Sequence, residues 1–307
     1  GYIWGRGVAD DKGELAALTL AAEALSSLDI KLGGDLIITA NCDEEIGGVA
    51  GLGYLIKEGI VKADIGLQID GGLEGIGLAA MGRTRFQITA HGVSYHGQVP
   101  ILGINAIEKM SKLNVALTDY WRNTLLKRKV PAPGIDLGEA LREKGVKDLT
   151  AMLNIGTIHG GVQGATVPDH CIEEVLRGMV PGETYDQTYN EFKQVLDGVK
   201  AKDPALEYSL DVINYREGYV VPATDPYALD CQNIISEATG VKLPFTGTLA
   251  STDMNYQVVD GGMKCVSFGV GGSYHRGHKQ DENASIDEII QCSKATALLI
   301  MRKLGTN

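Results

Sequence analysis

The sequence is poor in cysteine. Five cysteines occur among its 307 residues, and no two are spaced as a Cys-x-x-Cys pair. An odd number of scattered cysteines does not support a disulfide framework or a zinc finger. We therefore expect free thiols and a cytoplasmic location. The cysteines are Cys42, Cys171, Cys231, Cys265 and Cys292.

Long apolar runs and an excess of basic charge are also lacking. No stretch of 18 apolar residues occurs, which predicts no transmembrane helix, and the first residues do not resemble a secretory signal peptide. Lysine and arginine number 28 against 39 aspartate and glutamate residues, so the net charge is −11. Such an acidic chain is not expected to bind nucleic acid or an anionic membrane.

Two kinds of enzyme signature are absent. The sequence contains neither G-x-G-x-x-G nor G-x-x-x-x-G-K-[ST], which argues against a nucleotide-binding domain. It has no G-x-S-x-G segment, which argues against serine hydrolysis.

The length and the hydrophobic pattern predict two domains. With 44% apolar residues, the chain can bury a sizeable core in each. A buried strand is predicted over 35–40 and a second over 63–69, with a helix between them, which suggests a parallel βαβ unit. From residue 83 the pattern alternates as in an antiparallel sheet. We therefore predict an α/β fold in which an α+β sandwich, residues 83–221, is inserted between residues 1–82 and 222–307.

Acidic and imidazole side chains gather where predicted strands end, and in open α/β sheets sites form at the carboxyl ends of strands. Each has an ordinary explanation as a helix cap, a solvated turn or a surface histidine, but their coincidence favours a site. Crowded carboxylates repel one another unless cations neutralise them, and these residue types suit zinc or a similar ion. The residues selected in this way are Asp10, Asp43, Glu44, Glu45, Asp70, His275 and His278.

At these residues the sequence resembles the M20 family of metallopeptidases and N-acyl-amino-acid deacylases. Residues 5–13 (GRGVADDKG) are similar to its G-R-G-x-x-D-x-K-G signature, and residues 43–47 (DEEIG) to its D-E-E-x-G signature. Residues 92–107 (GVSYHGQVPILGINAI) resemble the family's lid segment, and residues 277–282 (GHKQDE) its closing H-x-x-D-E segment. The resemblance implies a three-layer αβα catalytic domain of the zinc-peptidase type, with the inserted sandwich as a lid and dimerisation domain.

The resemblance also implies a role for each matching position. Asp10 would bridge two zinc ions, for which cobalt or manganese are alternatives. Glu45 and His278 would complete the protein ligands of one ion, and Asp70 would ligate the other. Glu44 would be the general base that takes a proton from the attacking water and returns it to the leaving amine.

Two further positions match family residues outside the metal site. His96 matches a lid histidine that helps stabilise the oxyanion, often from the partner subunit, and Arg177 matches an arginine that binds the substrate carboxylate. Their ordinary explanations are a loop residue and a strand-edge charge. The resemblance further implies a homodimer through the inserted domain, with contacts at an edge strand near 83–90 or a helix near 105–126.

The sequence departs from the family pattern in three places. The family's H-x-D motif has no match, because no histidine precedes Asp10. We therefore expect the second metal site to be incomplete, with the missing ligand supplied by another segment or chain, or absent from a fragment. Thr166 stands where the family often has asparagine, which puts a substrate hydrogen bond in doubt, and His275 could compete with His278 as a ligand.

These residues predict an enzyme that hydrolyses the amide bond of an N-acyl amino acid, a small-molecule substrate with a free carboxylate. The short motifs look like the acetylornithine deacetylase and succinyl-diaminopimelate desuccinylase branch. A dipeptidase or carboxypeptidase is the alternative, for which Asp70 in place of glutamate is one indication. An inactive fragment or a non-catalytic binding homologue is a further alternative, which the presence of Glu44 opposes.

Overall fold

The computed structural model describes residues 1–272 and 275–306, and no helix within them is long and apolar enough to cross a membrane. The α-helices are α1 (Gly13–Ser27), α2 (Leu52–Lys57), α3 (Ala106–Asn123), α4 (Glu139–Glu143), α5 (Tyr185–Lys200), α6 (Pro226–Thr239) and α7 (Ile286–Leu304). The strands are β1 (Tyr2–Trp4), β2 (Ile65–Ile69), β3 (Ile76–Ala80), β4 (Gly82–His91), β5 (Lys129–Val130), β6 (Leu149–Thr150), β7 (Leu153–Gly160), β8 (His170–Met179), β9 (Glu207–Arg216), β10 (Tyr219–Val220), β11 (Phe245–Thr248), β12 (Lys264–Phe268) and β13 (Asn283–Ser285).

One sheet has helices on both faces, as the predicted three-layer α/β architecture requires. In this sheet β3 pairs with β10, β11 and β12, and β12 runs parallel to β2. Successive residues of β12 face opposite sides, because side chains alternate along a strand. Val266 and Phe268 join the apolar core that includes residues of α1, α6 and α7, whereas Cys265 joins the core that includes residues of α2.

The second sheet has the order β7–β8–β4–β9 and is antiparallel throughout. Phe86 of β4 stacks on Phe192 of α5, with ring centroids 4.2 Å apart, so this helix covers one face of the sheet. Thr184 begins α5 with a reciprocal capping box to Gln187. The predicted alternation over 83–90 is confirmed, but β4 lies between β8 and β9. The expectation of an edge strand there for dimer contact is therefore wrong.

The predicted buried strand over 35–40 is also wrong. These residues form no ladder with any described strand, and Leu36, Ile37 and Ile38 are exposed by 38%, 51% and 42%. A strand needs a neighbour to receive its backbone hydrogen bonds. Between this segment and β2 lies a cavity of about 620 Å³, and the segment lines it as an apolar wall.

Candidate metal centre

Asp10, Glu45 and His278 come together from three distant parts of the chain. The Nε2 atom of His278 lies 2.8 Å from Asp10 Oδ2 and 2.8 Å from Glu45 Oε1. One ligand atom from each residue lies within 4.8 Å of the other two. The hydrogen bond to Glu45, followed by the negative charge of Asp10, raises the pKa of His278. The group has the donor set of a divalent metal site, an imidazole with two carboxylates.

A strand pairing and a buried carboxylate bring Asp10 and His278 together. β1 pairs with β13, so the turn before α1 lies against the loop that carries His278. Glu282 strengthens this contact: its buried carboxylate accepts hydrogen bonds from the Ala9 backbone N–H at 3.0 Å and from Arg6 at 2.9 Å. Glu282, near the C-terminal end of the sequence, therefore holds the backbone next to Asp10 in place.

Asp70 follows β2 and faces the same region. With Asp10, Asp11 and His278 it lines a cavity of about 280 Å³. Burial, and then the charges of Glu44, Asp10 and Asp253, raise the pKa of Asp70 to about 7. Burial, and then Asp70 and Glu14, raise the pKa of Asp11 to about 10.

The crowded carboxylates around Asp70 and Asp11 indicate that a cation fits between them. Oδ1 of Asp11 is buried and has no hydrogen-bond partner within residues 1–272 and 275–306. Negative groups that raise one another's pKa and leave an acceptor unpaired are stabilised when a divalent cation binds among them. The residues present therefore fit a metal ion.

Glu44 shares a one-turn 3₁₀-helix with Glu45 but has a different partner. Its Oε1 accepts a hydrogen bond from Arg216 Nη1 at 3.1 Å, and its backbone carbonyl accepts one from Arg216 Nη2 at 3.0 Å. No hydrogen bond from the described residues reaches its Oε2. Glu44 thus lies beside the cluster without being one of its three members.

His275 is held away from the cluster. Its Nε2 lies 2.5 Å from Glu288 Oε2, and its Nδ1 lies 3.1 Å from Asn283 Oδ1. Both ring nitrogens therefore have partners, and His278 is the histidine that joins Asp10 and Glu45.

His96 is exposed on the loop between β4 and α3. Its backbone bridges to Thr166, and its Nδ1 accepts a hydrogen bond from the Gln98 backbone N–H at 3.2 Å. The structure does not bring His96 to the cluster within one chain. The position where the family often has asparagine, Thr166, lies next to the predicted lid histidine.

Arg177, the predicted substrate-binding residue, is buried on β8 of the four-stranded sheet. Its side chain is 0% exposed, and its two terminal nitrogens donate to the two oxygens of Glu183 at 2.5 and 2.6 Å. Alternation along β8 places it on the same buried face as Glu173 and Val175. A substrate could reach this guanidinium only if the ion pair with Glu183 opened. Arg177 is not a strand-edge charge either, because β8 lies between β7 and β4.

Sequence reasoning missed Arg216 and Asp253. Arg216 is buried at the end of β9, and Asp253 lies 3.5 Å from its Nη2. Asp253 follows β11, so the rule that selected the other strand ends could have found it. A lone arginine at the end of an alternating strand gives no such signal.

The sequence matches the Peptidase family M20/M25/M40 over residues 1–302, and the chain belongs to this family. It is an enzyme, a hydrolase, and metal dependence is the norm of the family.

Curated relatives of the chain act on different compounds. The N-formyl-4-amino-5-aminomethyl-2-methylpyrimidine deformylase of Bacillus subtilis is 25% identical over 312 residues, which cover 96% of this chain and 70% of that protein. A probable succinyl-diaminopimelate desuccinylase of Staphylococcus aureus is 27% identical over 217 residues, covering 67% of this chain and 52% of that one. Both names describe removal of an acyl group.

Solved structures share the fold. The M20 family metallo-carboxypeptidase Sso-CP2 of Sulfolobus solfataricus superposes with a TM-score of 0.74 at 19% identity, over 99% of this chain and 77% of that one. The YXEP protein of Bacillus subtilis, a dinuclear metal binding peptidase from the M20 family, gives a TM-score of 0.63 at 17% identity, over 96% and 72% of the two chains.

Proposed function

We propose that this chain carries the catalytic residues for hydrolysis of the amide bond in an N-acyl amino acid or a similar N-acyl compound, with Glu44 as the general base. The observation that supports this best is the adjacency of Glu44 and Glu45 on one turn. Glu45 contacts the histidine of the metal cluster, while Oε2 of Glu44 has no hydrogen-bond partner among residues 1–272 and 275–306. A free carboxylate next to a cation site is the arrangement that water activation needs.

Glu44 transfers one proton in two successive steps. Glu44 takes a proton from the water that attacks the scissile carbonyl and then delivers it to the nitrogen of the leaving amine. His96 would stabilise the developing oxyanion if a partner subunit places its loop over the site. The hydrolysis consumes one water and releases a carboxylate and an amine.

Asp10, Glu45 and His278 would hold one metal ion. Asp10 and Asp70 would contribute to a second, whose remaining protein ligand is not supplied by the described residues. When bound, a divalent ion supplies Lewis-acid chemistry that polarises the carbonyl and acidifies water. We propose zinc, with cobalt or manganese as alternatives, since carboxylate and imidazole ligands suit all three.

The test is the Glu44→Gln variant, with Glu58→Gln as a matched control because Glu58 is an exposed residue at the end of α2. We expect Glu44→Gln to abolish hydrolysis while bound zinc, measured by elemental analysis after gel filtration, stays at the wild-type level. Glu58→Gln should match wild type in both. Unchanged turnover in Glu44→Gln would remove Glu44 as the base.

A substrate panel distinguishes the acyl-removing activities from peptidase activity. N-formyl aminopyrimidine, N-acetyl and N-succinyl amino acids, and dipeptides should be compared at equal enzyme and zinc concentrations. We expect an N-acyl amino acid with a free carboxylate to be cleaved fastest. Preferential cleavage of dipeptides would establish the peptidase alternative, and turnover of none would favour a binding homologue or an incomplete site.

We also propose a homodimer through the inserted domain, in the cytoplasm, where free cysteines persist. Ile101 and Val162 of this domain are exposed by 88% and 83%, and Ile101 shares a loop region with His96. Val99 and Leu102, next to Ile101, are also exposed, by 42% and 55%, and a continuous exposed apolar segment favours burial against a second copy. An Ile101→Glu variant should halve the mass in light scattering, and a wild-type monomer mass at every concentration would contradict the dimer.

A further inference from the structure

Arg216 is a buried guanidinium where the two domains meet. It ends β9 of the inserted domain, and its side chain is 1% exposed. It donates three hydrogen bonds to a loop of the first domain: Nε to the Gly47 carbonyl at 2.7 Å, Nη1 to Glu44 Oε1 at 3.1 Å and Nη2 to the Glu44 carbonyl at 3.0 Å. The proton transfer described above does not by itself use this residue.

The surroundings of Arg216 restrict it to one geometry. Asp253 Oδ1 lies 3.5 Å from Nη2, and the Tyr256 ring lies under the guanidinium, with its centroid 5.1 Å from Cζ. The Tyr256 hydroxyl donates to the same Gly47 carbonyl at 2.7 Å. Gly48 has φ +64°, and a Cβ on it would lie 2.2 Å from Asp253 Oδ1 and 3.0 Å from Arg216 Nη2. The loop therefore packs against the guanidinium without space for a side chain.

We propose that Arg216 is a positioning residue for Glu44, a role that rests on the proposed function of Glu44 as base. The guanidinium holds Oε1 and the backbone carbonyl of Glu44, which fixes the carboxylate, and no other residue of the described chain occupies Oε2, the oxygen that would accept the proton. Arginine suits this role because its planar fork donates in several fixed directions, which the single ammonium of lysine cannot reproduce.

This contact also joins the base to the inserted domain. Asn214, two residues earlier on β9, donates from Nδ2 to the Ile46 carbonyl at 3.0 Å. The loop 43–48 is thus attached to β9 at three residues: Glu44 through its side chain and carbonyl, and Ile46 and Gly47 through their carbonyls.

The kinetic test compares Arg216→Met and Arg216→Lys with Arg85→Met. Arg85 lies in the same sheet and pairs with Glu174 at 2.8 Å, away from the loop. We expect Arg216→Met to lower kcat by about 10- to 100-fold with little change in KM, as loss of outer-shell partners does. Arg216→Lys should recover only part of this loss, and Arg85→Met should resemble wild type.

A double-mutant cycle separates positioning from a general effect on folding. Glu44→Asp shortens the carboxylate and withdraws it from Arg216. If Arg216 acts through Glu44, then Arg216→Met should reduce kcat far less in the Glu44→Asp background than in wild type. Equal and additive losses would overturn the proposal.

Hydrogen exchange gives a readout that does not depend on turnover. The backbone N–H groups of Ile46, Gly47 and Gly48 donate to the Asp43 carbonyl, and that of Ala50 to the Asp43 carboxylate. We expect these four amides to exchange about tenfold faster in Arg216→Met and at the wild-type rate in Arg85→Met.

The two proposals can fail separately. Wild-type exchange and wild-type kcat in Arg216→Met would overturn the role of Arg216 even if Glu44 proves to be the base. If wild type cleaves no substrate of the panel, the proposed function fails, and unchanged loop exchange in Arg216→Met would then also overturn the attachment of the loop.

Discussion

Glu173 should make the stability of the protein depend on pH. It lies on the buried face of β8 and is 0% exposed, so its carboxylate is shielded from water. Burial raises the pKa of Glu173 from 4.5 to about 7, and the Asn114 side chain on α3 partly opposes the rise. The folded protein therefore holds this proton at pH values where the unfolded chain has lost it.

The sign and size of the effect follow from linkage. Below about pH 4.5 both states are protonated, and the contribution of Glu173 is at its most favourable. As the pH rises to about 7, the folded state binds more protons than the unfolded state, so the free energy of unfolding falls. Each pKa unit corresponds to about 1.4 kcal/mol, so the loss between these limits is about 3 kcal/mol.

Glu173→Gln removes the titration and leaves a neutral group of the same size. At pH 8 we expect its free energy of unfolding to exceed that of wild type by about 3 kcal/mol, and at pH 4.5 the two should be nearly equal. Urea unfolding followed by Trp121, which is in α3, in a Trp4→Phe background reports on this helix and the sheet it contacts. Glu174→Gln is the control, because Glu174 is 39% exposed on the opposite face. A difference between Glu173→Gln and wild type that is the same at both pH values would refute this reasoning.

Two other substitutions test the cluster and the helix cap. His278→Ala should lower the bound zinc by one ion per chain in elemental analysis, because it removes the imidazole that lies between Asp10 and Glu45; unchanged zinc would exclude His278 as a ligand. Thr184→Ala should lower the free energy of urea unfolding by about 1 kcal/mol through loss of the α5 cap, whereas Thr184→Ser should be nearly neutral, and equal losses in the two variants would argue against the capping hydrogen bond.

The metal-cluster residues were accessible to sequence reasoning chiefly through their motifs. Asp10, Glu45 and His278 are separated by up to 268 residues, yet the motifs selected all three, and the structure places His278 within hydrogen-bonding distance of both carboxylates. The strand-end rule reached Glu45 through the strand predicted at 35–40, which the structure does not form. The alternation over 83–90 was equally informative, because a sheet covered on one face imposes a period of two. Whether these residues bind metal stays a prediction.

Features that depend on a neighbouring strand or on a partner side chain could not be predicted from the sequence. An apolar run predicts a strand at 35–40, but the pattern does not say whether another strand lies beside it. Leu15 and Leu18 of α1 have the spacing of a core-facing helix stripe, yet Leu15 is 42% exposed and both line the same cavity as residues 35–40. For Arg177, the motif identified the position but not Glu183, six residues later, as its partner.

Glu44 and Glu45 are neighbours on a single turn, and this adjacency limits how such a site can change. A substitution that shifts the turn to suit a different metal ion also shifts the group that would activate water, since one residue contacts His278 and the next contacts Arg216. Metal preference and base geometry therefore cannot be adjusted one at a time through this loop. Diversification of substrate range is easier at surfaces that do not touch the turn, such as the loops of the inserted domain.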